Sequence, residues 1–234
     1  QLYSVYGEYK NTAREFFATV NLTHNREWYN RIYEQRIENG QVQRVSLPLS
    51  NHGSGYTVKS TLSKGFYELG LKTSFLVLLN ISKAEQISGG QRLPYQYRLM
   101  RLEPKVIWTP NRHWETSYQT DIRYGGNKIG ERTRLAPLWN VTQQVQLSYI
   151  FSPIEASLSV DHYHNDVNED QSVNAVFADF SVSWKSGRWQ ITTTATNLFD
   201  KRTYAYTQYA SLESYTSWVR IRPREFLVAI RYQL

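Results

Sequence analysis

Gln144-Val145-Gln146-Leu147-Ser148-Tyr149-Ile150-Phe151-Ser152-Pro153-Ile154-Glu155-Ala156-Ser157-Leu158-Ser159-Val160-Asp161 consists of two alternating runs joined at Ser152-Pro153. In the first run Val145, Leu147, Tyr149 and Phe151 stand opposite Gln144, Gln146 and Ser148. In the second, Ile154, Ala156, Leu158 and Val160 alternate with Glu155, Ser157, Ser159 and Asp161. Neighbouring side chains of a strand point to opposite faces, so this period of two predicts a β-hairpin with one apolar and one polar face.

The same pattern spreads outward from that hairpin. Segment 114–124 sets Trp114, Thr116, Tyr118, Thr120, Ile122 and Tyr124 against Glu115, Ser117, Gln119, Asp121 and Arg123. Segment 71–81 sets Leu71, Thr73, Phe75, Val77, Leu79 and Ile81 against Lys72, Ser74, Leu76, Leu78 and Asn80. At the end of the chain Phe226, Val228, Ile230, Tyr232 and Leu234 oppose Leu227, Ala229, Arg231 and Gln233. Segments 16–24, 56–66, 176–184 and 189–199 alternate less cleanly, and 95–108 reads as a strand interrupted at Pro104, which cannot donate a ladder hydrogen bond. A file of charged and amide groups on one strand face cannot enter a dry core without partners, whereas a water-filled lumen satisfies them. The expected fold is all-β, a transmembrane antiparallel β-barrel.

Composition agrees with two faces in two solvents. Tyr, Phe and Trp number 18, 9 and 7, yet the mean hydropathy is −0.56. Cys is absent, which removes disulfides, thiolate metal sites and Cys nucleophiles. No apolar run approaches the roughly 20 residues of a membrane-spanning helix, and Phe75 to Leu79 is far too short. The formal charge of +7 is spread along the chain with carboxylates between the cations, so no nucleic-acid partner is expected.

Connections alternate in length. Short polar turns at 11–14, 67–70, 109–113, 152–153 and 185–188 interleave with longer links at 26–53, 84–94, 125–138, 164–171 and 200–222. Outer-membrane barrels have short periplasmic turns and long extracellular loops, which gives an orientation and about eleven strands. An odd number does not close a single-chain bacterial barrel, so the rest of the wall is expected from elsewhere and this chain reads as a fragment or processed piece. Tyr56, Phe66, Trp108, Trp114, Tyr124, Trp184 and Trp189 fall near strand ends, where rings with a polar tip favour headgroup levels. The competing reading of those rings is cross-strand pairs in a soluble sandwich.

Thr196-Asn197-Leu198-Phe199-Asp200-Lys201-Arg202-Thr203-Tyr204, followed by Arg222-Pro223-Arg224-Glu225-Phe226 and a terminal alternating strand, resembles the closing segment of TonB-dependent outer-membrane receptors. In that family an Asn-Leu-Phe-Asp/Asn motif ends the penultimate strand and an Arg-Pro-Arg-x-Phe-type motif opens the last. The Glu38-Asn39-Gly40 loop and the loop rhythm resemble barrels of this family from Bacteroidetes-type bacteria, while Leu234 stands where the family usually ends in Phe. The resemblance implies that residues 1–234 are the C-terminal portion of a barrel of about 22 strands, with plug domain, TonB box and N-terminal strands outside this sequence. It further implies active uptake of a scarce or bulky nutrient through the outer membrane of a Gram-negative cell. The implied partners are the other barrel half and plug, TonB, lipid or lipopolysaccharide, and a surface lipoprotein lid. A passive porin, or a barrel anchoring a surface complex, is the rival reading.

Candidate sites follow from this placement. The last loop, with Tyr204, Tyr206, Tyr209, Tyr215 and Trp218, offers aromatic surface that stacks on sugars and flat ligands. Loop 26–53 offers Trp28 and Tyr29, and its middle reads as a hairpin, 31–37 with 41–47, around a type I′ turn at Asn39-Gly40. Lys72, Glu115, Asp121, Arg123, Glu155, Asp161, Asp179 and Arg231 are expected to face the lumen and plug. His162 and His164, beside Asp161 and Asp166, have the i, i+2 spacing of metal ligands but read as solvated rim residues. No cofactor or metal is expected. His24 and His52 flank one loop and His113 sits at an opposite turn, without a recognisable spacing for a barrel-rim hydrolase, so no enzyme is expected either.

Overall fold

The computed structural model describes residues 1–38, 41–130, 133–134, 137–168, 170–209 and 214–233. Among them the chain is all-β, with no α-helix and one short 3₁₀ turn at Tyr67–Leu69. The strands are β1 (Leu2–Asn11), β2 (Phe16–Tyr29), β3 (Ile32–Glu38), β4 (Gln41–Leu47), β5 (Asn51–Phe66), β6 (Leu71–Ser88), β7 (Gln91–Asn111) and β8 (Trp114–Ile129). They continue as β9 (Thr133–Arg134), β10 (Leu138–Phe151), β11 (Ile154–Asp166), β12 (Ser172–Ser186), β13 (Trp189–Thr196), β14 (Thr203–Tyr209), β15 (Ser214–Arg220) and β16 (Glu225–Tyr232).

Eleven strands form one meandering antiparallel wall in the order β1-β2-β5-β6-β7-β8-β10-β11-β12-β13-β16. The wall is open, with β1 and β16 as its edges. β3 and β4 leave it as a ribbon whose pairing runs from Ile32 opposite Leu47 to Glu38 opposite Gln41, as expected from the sequence; the turn at Asn39-Gly40 lies outside the described residues. The ribbon touches the wall through two parallel pairs, Glu34 with Ile87 and Gln35 with Ser88. β14 and β15 form a separate hairpin.

At the short-turn ends the strands stop within three residues of where the residue pattern puts them, β7 for one reaching Asn111 against an expected turn from 109, but at the opposite ends they run on further. The expected 84–94 link is reduced to Gly89-Gly90, because β6 and β7 stay paired up to Ser88 opposite Gln91. Both glycines have positive φ, 57° and 75°, the geometry of a two-residue type I′ turn. Trp28 and Tyr29 likewise close β2, opposite His52 and Asn51, rather than sitting in a loop. Pro104 does not interrupt its strand: β7 runs unbroken and Pro104 pairs with Phe75 of β6, and only the ladder to β8 is broken, where Glu103 and Pro104 have no register partner.

Register carries each side chain's face from strand to strand. On one face lie Val5, Leu22, Val58, Leu79, Met100, Ile122, Val141, Leu158, Val182, Thr193 and Val228, with their i±2 neighbours. The other face is predominantly polar. The apolar face is uncovered: Phe75 is 39%, Leu79 41% and Val228 67% exposed. The buried apolar residues are few and mostly small, namely Ile32, Ile87, Leu138, Ala175, Ala178, Ala195 and Ala205 among the described ones. An accessible surface of 16117 Å² compares with about 11,000 Å² for a compact monomer of 27.5 kDa, so this is a single layer without a second layer on its apolar side.

Candidate functional site

All eight charged residues read as facing an interior share the polar face. The β8, β10, β11 and β12 registers put Glu115, Asp121, Arg123, Glu155, Asp161 and Asp179 there, and Lys72 and Arg231 join through β6–β7 and β13–β16. They do not form one cluster. Glu155 accepts a 2.8 Å ion pair from Lys185. Asp121 is shared by Arg101 at 3.0 Å and Arg123 at 2.7 Å, and Arg101 also meets Glu103 at 2.6 Å. Arg101 and Glu103 escaped the sequence reading because Pro104 blurred the alternation of that segment; continuing the parity of Lys105 backward would have placed both.

The β14–β15 hairpin folds over this polar face instead of projecting from the end of the wall. Asn165 of β11 donates from Nδ2 to the Tyr204 hydroxyl at 2.9 Å and to the Ala205 carbonyl at 3.4 Å. Thr207 donates to the Val167 carbonyl at 3.2 Å, and the Tyr204 ring packs edge-on against Tyr163 at 5.2 Å. Ala205 and Thr207 are accordingly buried. Of the expected ligand-contacting residues, Tyr204 faces the wall, while Tyr215 and Trp218 are 53% and 68% exposed. Tyr209 ends β14, and its side chain lies outside the described residues. Trp28 and Tyr29 are not brought to the hairpin: β2 lies six strands from β11 in the wall.

The root of the hairpin is built by the two motifs. Asn197 and Asp200 adopt φ of 50° and 51°, the left-handed region that Asn and Asp tolerate better than other side chains. The Asn197 amide N–H donates to Asp179 at 2.7 Å, and its Nδ2 donates to the carbonyls of Lys201 and Arg222, each at 2.8 Å. Its Oδ1 accepts from the Lys201 N–H at 2.9 Å. Asp200 accepts from the Arg202 guanidinium at 2.8 Å and from the Arg224 N–H at 3.0 Å. The Arg202 hydrogen bond and then the Arg224 amide hold the Asp200 carboxyl below the usual carboxylate range, and the pair raises Arg202 in turn.

Between this root and the wall is a cavity of about 530 Å³ bordered by Asp161, Asp179, Glu225, Tyr163, Phe177 and Tyr204. One Asp161 carboxylate oxygen is buried there without a hydrogen-bond partner. Further along the hairpin, Thr207 borders a second cavity of about 310 Å³ with Tyr97, Arg101, Arg123 and Asn140. Carboxylates and rings in the first, guanidinium groups in the second, suit non-covalent recognition of a polar solute. Tyr163, Phe177 and Glu225 were missed in the sequence, although Tyr163 is two residues from Asp161 on the same face. His162 and His164 point to the apolar face, away from Asp161, and His164 bonds Asn174 at 2.9 Å and Asp166 at 3.3 Å. Among the described residues no three metal-ligating side chains converge.

The fold and this site define an all-β protein with an open antiparallel wall, one apolar and one polar face, and a hairpin laid across the polar face. No protein-family model, curated protein or solved structure matches the chain.

Proposed function

We propose that this chain is part of the wall of an outer-membrane β-barrel of a Gram-negative bacterium, and that the complete barrel is a TonB-dependent transporter taking up a scarce or bulky nutrient. The observation that carries the membrane reading is the uncovered apolar face with ring pairs at both ends of its strands. Trp114 packs on Tyr149 at 4.7 Å and Tyr124 on Trp139 at 4.5 Å. The two pairs are ten residues apart along β8 and β10. At about 3.3 Å per residue and a tilt near 40°, that distance projects to roughly 25 Å, the height of the apolar band of outer-membrane barrels.

Strand direction supports a larger assembly. β1 and β16 run the same way because nine strands lie between them in an antiparallel order, so closure needs an odd number of further strands. In hydrocarbon each unpaired backbone group at these edges costs several kcal/mol, which makes the remaining wall obligatory. The transporter reading rests on the Asn197–Asp200 and Arg222–Arg224 motifs, which tie down the root of the hairpin that crosses the polar face and carries the exposed Tyr215 and Trp218, rings that suit a solute. Plug and TonB are the partners this reading requires, and a surface lipoprotein lid is one it allows. Nothing covalent happens to the solute.

The test is the full-length protein purified from outer membranes and inserted in a planar bilayer. A plugged transporter is silent at rest and migrates on gels faster unheated than boiled. Steady ohmic conductance would identify a passive porin instead, and recovery in the soluble fraction would end the membrane reading.

A further inference from the structure

The two cavities beside the β14–β15 hairpin differ in charge. Among the described residues bordering the first, Asp161, Asp179 and Glu225 stand against Arg222 alone. None of these three carboxylates is in an ion pair among the described residues, and one Asp161 oxygen is buried without a donor. The rings of Tyr163, Phe177 and Tyr204 border the same space. Unpaired carboxylates beside aromatic rings suit a cationic group, and an ammonium can use both. In the second cavity Arg101 and Arg123 are the only charged groups among the described lining residues. Asp121 takes Nε and Nη2 of both guanidinium groups, which holds them in place, while their Nη1 donors make no hydrogen bond among the described residues. Two held guanidinium groups with donors to spare suit a carboxylate.

Both cavities lie on the polar face, and β14 lends Tyr204 to one and Thr207 to the other. Register gives their separation. Asp161 is opposite Gln144 of β10, Gln144 is opposite Gln119 of β8, and Arg123 lies four residues further along β8. Two strand spacings of about 4.8 Å and four residues of about 3.3 Å put the two groups roughly 16 Å apart. An extended peptide rises about 3.4 Å per residue, so its charged ends span that distance at about five residues. Thr142 and Gln144 of β10 lie between the two sites on the same face, and a hydroxyl and an amide there suit a peptide backbone.

We propose that the solute is a short zwitterionic peptide of about five residues. Its terminal ammonium is held by Asp161, Asp179 and Glu225, and its terminal carboxylate by Arg101 and Arg123. The proposal rests on the transporter reading above and names the class of solute for that same site.

The experiment titrates the complete protein, solubilised in a mild detergent, with pentaalanine, its N-acetylated form, its C-terminal amide and dialanine, read by calorimetry. Pentaalanine should bind, and acetylation or amidation should each weaken it about tenfold, since each removes one charge-assisted contact. Dialanine cannot reach both cavities and should bind no better than the blocked forms. Asp161→Asn should weaken free pentaalanine about tenfold and leave the acetylated form unchanged, and Arg123→Gln should do the same with respect to the amide. On the wild type alone, equal binding of free and blocked peptides, equal binding of dialanine and pentaalanine, or no pentaalanine binding overturns the proposal. Variants that weaken free and blocked forms alike overturn it too. The same preparation placed in a planar bilayer separates the two levels of failure. Steady ohmic conductance overturns the transporter reading and this proposal with it, whereas a silent barrel that ignores the peptide ends overturns this proposal alone.

Discussion

Asn197 shows what one side chain does when its backbone, amide oxygen and amide nitrogen are all committed. It ties β13, the start of the hairpin and the approach to β16 together, and it is only 6% exposed. Asn197→Ala removes the three side-chain bonds of a buried residue and takes the partner from the Lys201 and Arg222 carbonyls, so stability should fall by about 1–3 kcal/mol. Limited proteolysis should then cut within 200–222 much faster than in the wild type. Asp200 makes the anchor pH-sensitive. Its carboxyl is depressed in the folded state by Arg202 and the Arg224 amide, so its contribution is present above the ordinary carboxylate range and is lost as pH falls through the lower folded value. Hydrogen exchange at the Arg224 amide should stay slow at neutral pH and accelerate only in strong acid, and Asp200→Asn should remove that acid step. The importance of Asn197 and Asp200 was legible as a motif. Their partners were not, because Arg222 and Arg224 lie more than twenty residues away and meet the turn only once β13 and β16 are in register.

The strands show where residue patterns stop being informative. From Leu71 to Ile81 one face holds only Leu, Thr, Phe, Val and Ile, and from Phe66 to Tyr56 only Ser60 and Lys64 break the matching file, so the turn between these two strands can be placed from the sequence. Beyond Ile81, Lys83 and Glu85 take the outward positions and the amphipathic signal fades, yet backbone pairing continues to Ser88. A ladder needs only the backbone, whereas alternation needs two different surroundings; under the membrane reading both faces meet water past the apolar band. The hairpin lying across the polar face was also illegible, since its contacts with β11 are tertiary. At the opposite end the turns are tightly specified. Gly70 caps the 3₁₀ turn at φ 60°, and a Cβ there would collide with the Thr109 carbonyl. Gly70→Val should therefore cost about 1–3 kcal/mol through backbone strain alone. Its readout is a lower fraction of heat-modifiable protein, whereas Gly89→Val in the unobstructed β6–β7 turn meets no neighbouring atom and should lose less.

For the molecule as a whole, the decisive property is that one sheet has two faces and only one of them is polar. The all-β antiparallel meander, the number of wall strands and the face of each of the eight charged residues singled out in the sequence were legible, because a period of two fixes the side of a sheet without any tertiary information. Closure, partner strands and the solute were not, since no residue pattern within these strands encodes what lies beyond β1 and β16. The central claim is that the apolar face meets hydrocarbon while the polar face meets water. It is tested most directly by single spin labels at positions 156 to 161 of β11 in the reconstituted full-length protein. At 156, 158 and 160 collisions with oxygen should dominate, and at 157, 159 and 161 collisions with a water-soluble nickel complex, alternating residue by residue. Equal access of the nickel complex to all six positions would contradict the account.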